Sequence, residues 1–327
     1  MLGAEVTGYA LEPITSKDNF VVVGLDKVVN HNVGDIRNFD KLTQVFHETN
    51  PEIVFHLAAQ PLVLKSYAEP KETFDVNIGG TVNILECSRN TQTVKVIINV
   101  TSDKCYDDKM PSSGYIESNR LGGYDPYSSS KAGSEIVTKA YRNSFFNPNN
   151  VTSHNKCLSS VRAGNVIGGG DWNVNRLIPD CIRALQDNCT IEIRNPDHCR
   201  PWQYVLEPIG GYLLLAKMMY NEPRKYGGAW NFAPSKKSMV SVKRVVDLVV
   251  KSWGSGEWSP FNDDKEKLYE TKELFLDATK SRDLLGWKSE CDIVKSIDFT
   301  MEWYKIFPHA NMLKFCETQI ENYISLK

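Results

Sequence analysis

The chain has 327 residues, 41% hydrophobic and 24% charged, with 38 Lys and Arg against 40 Asp and Glu for a formal net charge of -2. That length supports one large α/β domain or two lobes, and the composition excludes a disordered chain. With no basic run and no stretch of about 18 apolar residues, neither nucleic acid nor a membrane is an expected partner. In chain order, residues 5–11 read as a strand and residues 20–25 as a short apolar run. Residues 41–50 predict a helix that Pro51 closes, and 53–57 an apolar strand interrupted near its end by His56. Residues 72–90 and 129–146 have helical spacing, with strands at 95–100 and 158–166. The alternation predicts an α/β protein built on a Rossmann-like doubly wound parallel sheet.

The last third differs. Residues 191–194, 201–205, 230–233 and 274–276 read as short strands, and 207–220, 241–253, 279–285 and 293–307 as helices. Residues 253–264, rich in Gly, Ser and acidic side chains, read as an exposed loop. The change near 168–171 divides the chain into a Rossmann-like domain, 1–168, and a smaller C-terminal substrate-binding lobe, 169–327, interleaved with the first around 200–233. The opening residues lack the zones of a signal peptide, so a cytoplasmic protein is expected. The eight cysteines form no CxxC pair and read as free thiols. The neighbours His198 and Cys199 lack the second pair that a metal site needs, so no metal is expected.

Two motifs carry chemistry. Tyr127-Ser-Ser-Ser-Lys131 opens a long helix, where residues four apart share a face. A nearby ammonium stabilises a phenolate, so Lys131 is expected to lower the pKa of Tyr127. Such a pair alone is most often a solvated helix face. Here it follows the strand end Asn99-Val-Thr-Ser-Asp-Lys104, and strand ends are where open α/β sheets place ligands. Thr101, Ser102, Asp103 and Lys104 set hydroxyl, carboxyl and amine groups in succession. Alone they would be a polar turn. Beside the Tyr–Lys pair they read as a general acid and a general base flanking one substrate carbon.

These runs, with Gly122-Gly-Tyr-Asp-Pro126, Gly34-Asp-Ile-Arg37, His56-Leu-Ala-Ala-Gln-Pro61, Arg162-Ala-Gly-Asn-Val-Ile-Gly-Gly-Gly-Asp-Trp172 and Arg200-Pro-Trp-Gln-Tyr-Val205, resemble the CDP-glucose 4,6-dehydratases of the extended short-chain dehydrogenase/reductase family. The resemblance runs in order over essentially the whole chain. It implies a lyase that converts CDP-glucose to CDP-4-keto-6-deoxy-glucose with NAD as cofactor, working as a homodimer in polysaccharide biosynthesis. It implies Tyr127 and Lys131 at the sugar 4-hydroxyl, Thr101 beside them, Lys104 as base at C5 and Asp103 as acid for the departing 6-hydroxyl. NAD would meet Asp35 and Ile36 at the adenine edge, then Leu57, Ala58 and Ala59, with Asn77, Tyr127 and Lys131 near the reacting end. Ser102, Asn165, Trp172, Arg176 and Arg200 would hold the sugar nucleotide. Another sugar-nucleotide dehydratase, a 4-epimerase, or a non-catalytic relic remain alternatives.

One departure stands out. The family opens with a strand and a glycine-rich turn that seats pyrophosphate on a helix N-terminus, and no such segment precedes residues 5–11 here. The expectation is a break between the second and fourth strands of the sheet and weak binding of NAD. The apolar run 20–25 is the one nearby candidate to fill the break. At the end of the second strand, Gly8-Tyr-Ala replaces the acidic residue that often holds the NAD ribose.

Overall fold

The computed structural model describes residues 3–107, 109, 111–261 and 273–327. In chain order the elements are β1 (Thr7–Ala10), α1 (Asn19–Val23), β2 (Asn30–Val33), α2 (Phe39–Thr49), β3 (Ile53–His56), α3 (Val63–Ala68) and α4 (Pro70–Phe74). A π turn over Asp75–Gly79 leads into α5 (Gly80–Asn90), β4 (Val96–Val100), α6 (Pro126–Ser144), α7 (Val151–His154) and β5 (Cys157–Ala163). Then come β6 (Val166–Ile167), α8 (Leu177–Gln186), β7 (Ile191–Ile193), β8 (Cys199–Pro201), β9 (Gln203–Tyr204), α9 (Leu206–Asn221), α10 (Pro223–Tyr226) and β10 (Gly228–Phe232). The chain closes with β11 (Met239–Ser241), α11 (Val242–Trp253), β12 (Trp258–Pro260), α12 (Thr279–Leu285), α13 (Ile293–Ile306) and α14 (Met312–Ile324).

The main sheet has the order β10-β5-β4-β3 and every ladder in it is parallel. Side chains along β4 alternate between its faces. Ile97 points into a cluster with Leu42, Phe46, Leu85 and Leu158 under α2 and α5. Val96 and Ile98 point into another with Leu215, Met219, Trp230 and Phe232 under α9. Apolar residues on both faces are what a parallel sheet sandwiched by helices requires. A separate cluster joins Ile182, Val245, Val249, Met301 and Trp303 from α8, α11 and α13. Residues 206–232 pack on the main sheet although they follow β7 and β8 in the chain, so the two bodies are interleaved.

The sheet breaks where the sequence reading placed a break. β1 pairs with β2 in a separate parallel ribbon, and β1 and β3 carry a ladder on one side only among the described residues. Apolar side chains stand open beside these edges: Leu57 is 58% exposed and Leu11 65%. The run 20–25 does not fill the break. It forms α1, which turns Val23 into the cluster around α13 and contacts α14. Of its consecutive valines, Val22 and Val23 pack into that cluster and Val21 is exposed.

Three further expectations need correction. Residues 253–264 are not wholly loop, because Trp258–Pro260 pairs in parallel with Ile191–Ile193; positions 262–264 lie outside the described residues. Residues 274–276 make single bridges, Leu276 to Tyr115 beside Glu273 to Cys199, in place of a strand. The strand expected over 158–166 stops at Ala163 and resumes at Val166, where it changes partner to β9. A Cβ at the intervening Gly164 would sit 2.9 Å from Pro201 Cγ and 3.3 Å from Asp103 Oδ2, so the switch depends on a residue without one.

Candidate active site

α6 starts with Asp125, whose side chain accepts from the Ser128 amide at 2.9 Å, followed by Pro126 at the first helical position. This cap sets Tyr127 and Lys131 on the face turned to the end of β4. There Ser102 caps a short turn over Asp103–Cys105, accepting from the Lys104 amide at 3.2 Å. The Ser102 hydroxyl donates to Asp103 Oδ1 at 2.9 Å and acts on the nearby Tyr127 phenol. Thr101, Ser102, Asp103, Tyr127 and Lys131 are buried and Lys104 is half-buried. The structure thus brings the two sequence motifs into one cluster.

The electrostatics correct one expectation. Tyr127 is pushed up to about 12, by burial first, with Asp103 and Asp125 adding to it and the Ser102 hydrogen bond opposing. The lowering expected from Lys131 is absent because that ammonium turns elsewhere. Its Nζ donates to the Val100 carbonyl at 3.3 Å, and burial draws its own pKa down to about 8. Asp103 is raised by burial, which outweighs Lys104, Ser102 and Arg200. As arranged, the phenol favours its protonated form, and the Asp103 carboxyl is shifted in the same direction by burial.

The cofactor candidates occupy one side of this cluster. Leu57 and Ala58 are exposed and Ala59 half-buried just beyond β3. The Arg37 guanidinium grips Asp35 at 2.6 Å and holds its carboxyl below the usual range. Ile36 is buried against Gly80, where a Cβ would come within 2.7 Å. Asn77 is no helix-surface residue. It is buried in the π turn, accepts from the Gln60 amide at 2.8 Å, and donates to the Gln60 carbonyl at 3.1 Å and to Ser130 Oγ at 2.8 Å. It therefore ties the loop after β3 to the first turns of α6. π turns concentrate at functional sites.

Of the substrate candidates, Arg200 and Arg176 are placed toward the cluster: Arg200 acts on Asp103 and Arg176 on Tyr127. Arg176 also pairs with Asp171 at 2.8 Å. Asn165 is half-buried between β5 and β6, its carbonyl accepting from the Gln203 amide at 2.9 Å. Trp172 packs edge-on against Tyr304, with ring centroids 5.3 Å apart, and beside Phe307 in the smaller core. There it is a core aromatic, with Lys17 over its ring at 5.3 Å.

Sequence reasoning missed two buried polar networks behind the cluster. In one, Glu135 accepts from Thr101 Oγ1 at 2.5 Å, from Ser160 at 2.7 Å and from a bidentate Arg162 at 2.7–2.8 Å. In the other, His56 Nε2 meets Thr81 Oγ1 at 3.2 Å, Thr81 meets Ser134 at 2.9 Å, and Asn99 Nδ2 donates to Ser134 and Thr138. Glu135 lies one turn beyond Lys131, and that i, i+4 spacing was the available signal.

Burial, and then the Lys131 charge, lowers His56 from 6.5 to about 3. A neutral imidazole in the folded state stabilises the protein above pH 6.5, and that stability is lost as pH falls toward 3. The slope is about 1.4 kcal/mol per pH unit, or about 2 kcal/mol by pH 5. Urea unfolding at pH 7 and pH 5 is expected to show this loss, and His56→Asn is expected to remove most of it. An unchanged difference between the two pH values in the variant would assign the loss to other groups.

A parallel sheet with helices on both faces, carrying a Tyr–x–x–x–Lys helix against the end of a central strand, defines a Rossmann-type short-chain dehydrogenase/reductase of the extended class. The family described as GDP-mannose 4,6 dehydratase matches residues 15–299, and the chain belongs to that family. A CDP-glucose 4,6-dehydratase of Salmonella typhimurium is 43% identical over 325 residues, covering 99% of this chain and 90% of that protein. A UDP-glucose 4-epimerase of Mycolicibacterium smegmatis is 23% identical over 308 residues, 88% of this chain and 92% of that one. Among solved structures, DesIV, a dTDP-glucose 4,6-dehydratase from Streptomyces venezuelae with NAD and TYD bound, matches with a TM-score of 0.77. The identity is 20%, and 94% of this chain and 90% of that one are covered. At that identity the likeness bears on the fold.

Proposed function

We propose that the chain is a lyase that removes water from CDP-glucose to give CDP-4-keto-6-deoxy-glucose, with NAD as its cofactor. The observation that carries this reading is the convergence of Tyr127, Asp103 and Lys104 at the end of β4, in a chain 43% identical to a CDP-glucose 4,6-dehydratase. The small, open side chains of Ala58 and Ala59 beyond β3 and the buried Lys131 fit a dinucleotide laid along the strand ends. Asp35 and Ile36 would hold its adenine edge, with Leu57, Asn77 and Lys131 further along. When bound, NAD supplies an acceptor and later a donor of hydride.

The chain's own residues manage protons and position. Tyr127 would act as its phenolate, formed by release of the phenol proton to solvent and stabilised when the Lys131 ammonium turns from Val100 toward it. The phenolate takes the proton of the sugar 4-hydroxyl, with Thr101 and Ser102 orienting the oxygen. A 4-ketone acidifies the neighbouring C5 hydrogen, and Lys104 takes it as a free amine, having first released one ammonium proton to solvent. Asp103, raised by burial, delivers a proton to the departing 6-hydroxyl. Arg200 and Arg176 hold the diphosphate, for which a guanidinium fork is suited, with Asn165 beside them.

The test incubates the protein with CDP-glucose and NAD in deuterated water and follows the sugar by NMR. The expected product is a 4-keto-6-deoxy sugar with one solvent deuteron at C5, and UDP-, dTDP- and GDP-sugars are run in parallel. A C4 epimer would favour the epimerase reading, in which Asp103 and Lys104 need not act as a pair. No turnover of any sugar would favour a non-catalytic binding protein, a reading that the break between β1 and β3 supports.

We also place the protein in the cytoplasm as a homodimer through α6 and the π turn–α5 segment. Ile136 is 59% exposed and Ala140 is exposed on α6, whereas Val137 and Tyr141 pack into the core and contribute less than their spacing suggests. Phe74 and Phe145 widen the apolar face. Sedimentation at micromolar concentration is expected to show a dimer that Ile136→Asp converts to monomer; a wild-type monomer would end the idea.

A further inference from the structure

Further along α6, the helix, the 117–121 segment and the start of β10 border an open cavity of about 670 Å³. Lys139, Arg142, Arg162 and Lys280 line it against two carboxylates, Glu117 and Glu135. Both carboxylates are already engaged. Glu135 serves Arg162, Thr101 and Ser160, and Glu117 Oε1 accepts from the Asn231 amide at 2.8 Å. Arg162 is likewise spent on Glu135, on the Tyr106 hydroxyl at 2.7 Å and on the Glu117 carbonyl at 3.1 Å.

Arg142 is different. Its Nη1 is buried and has no hydrogen-bond partner. A buried guanidinium donor left unpaired is costly, more so than a neutral one. Among the described residues the carboxylate that acts on it is Glu135, which is already engaged by Arg162, Thr101 and Ser160. Lys280, whose Nζ donates to the Ala229 carbonyl at 2.7 Å and lies 4.1 Å from the centre of the Trp230 ring, feels Arg142 and Arg162 as neighbouring like charges. Burial lowers the pKa of both Arg142 and Lys280, and Arg162 adds to the lowering in each. Glu117 acts on Lys280 and Glu135 on Arg142, yet cations outnumber carboxylates in the lining five to two, with Arg120 among them.

We propose that this cavity is a second anion site, separate from the catalytic cluster, in which Arg142 and Lys280 clamp a phosphate group. Its volume falls in the range of small-molecule pockets and admits either free phosphate or the phosphate of a nucleotide. A bound dianion would meet the Arg142 guanidinium and Lys280 Nζ and relieve the repulsion among the lining cations. It would also compete for Arg162, whose partner Glu135 is the acceptor of the Thr101 hydroxyl, so occupancy is expected to alter turnover as well.

The test is titration of the full-length protein by calorimetry, with inorganic phosphate in one arm and AMP in the other. Arg200→Gln serves as background, so that phosphate binding in the catalytic cleft is suppressed. The expected result is saturable binding at one site per chain that weakens at least tenfold in Arg142→Met. Arg142→Lys is expected to retain part of it. Lys280→Met, further from the buried ladder, carries the test if Arg142→Met fails to fold. Equal binding in both arms would assign the site to the phosphate group alone, and binding of AMP only would assign it to a nucleotide. Either result supports the site. No binding at 10 mM of either probe, or binding indifferent to Arg142 and Lys280, would overturn it. Because the readout is binding, its failure is distinguishable from failure of the dehydratase reading.

Discussion

Tyr127→Phe is expected to abolish product formation and the first oxidation together, whereas Lys104→Ala abolishes product formation and leaves the first oxidation intact. The loss in each case is about 10²–10⁴-fold, the usual contribution of a positioned acid or base. The division follows from where the two groups sit. Tyr127 is buried on α6 and lies within electrostatic reach of Ser102, Asp103 and Arg176. Lys104 is half-buried one turn beyond Thr101 and faces the cluster from the strand side. A group serving C5 has no part in taking the 4-hydroxyl proton. In single turnover, Lys104→Ala is expected to accumulate reduced nicotinamide, seen by its absorbance, with no deuterium at C5. Asp103→Asn is expected to incorporate deuterium at C5 yet retain the 6-hydroxyl. If Lys104→Ala blocked reduction of the cofactor as completely as Tyr127→Phe, the two residues would not have separate tasks.

What was legible in the sequence was what short-range chemistry determines. The Tyr127–Lys131 spacing is a property of one helix, and its placement against β4 follows from a strand, a loop and a cap within 35 positions. The alternation of apolar runs with helical spacing was enough for the parallel sheet. Long-range partnership was not legible. The valines of 20–25 satisfy a strand or a helix equally well, and only α13 and α14, some 280 residues later, decide for the helix. Trp258–Pro260 lies in a polar stretch whose composition reads as loop, and it becomes a strand because β7 offers it an edge. The direction of the Tyr127 shift was missed for the same reason. The helix supplies the ammonium, but Asp103 comes from another element and Val100 draws Lys131 away. Trp172 read as a substrate contact because it ends a distinctive motif, while its actual neighbours, Tyr304 and Phe307, are more than 130 residues away in sequence.

The ion pair behind Thr101 sets the second large effect: Arg162→Ala is expected to cost about 3–5 kcal/mol, the usual penalty for stranding one member of a buried pair. Both side chains are 3% exposed, and the guanidinium closes on Glu135 at 2.7 Å in bidentate fashion. Burial alone would raise the Glu135 carboxyl, but Arg162, with Thr101 and Ser160, holds it below its ordinary value. A carboxyl depressed in this way contributes stability above its unfolded pKa that is lost as pH falls through the folded one. Arg162→Ala removes the dominant partner, so the acid limb of the stability curve is expected to shift to higher pH. The double variant Arg162→Met with Glu135→Leu distinguishes packing from function. Replacing both charges with apolar groups of similar volume is often neutral for stability, so most of the lost 3–5 kcal/mol is expected to return in urea unfolding. Turnover is not expected to return with it, because the Thr101 hydroxyl loses its shorter acceptor, Glu135 at 2.5 Å, and turns to the Val161 carbonyl, now at 3.2 Å. Recovery of both stability and turnover in the double variant would show that the pair only fills space. Recovery of stability alone makes Glu135 a positioning residue, and restoring Glu135 on the Arg162→Met background should then raise kcat with little change in KM.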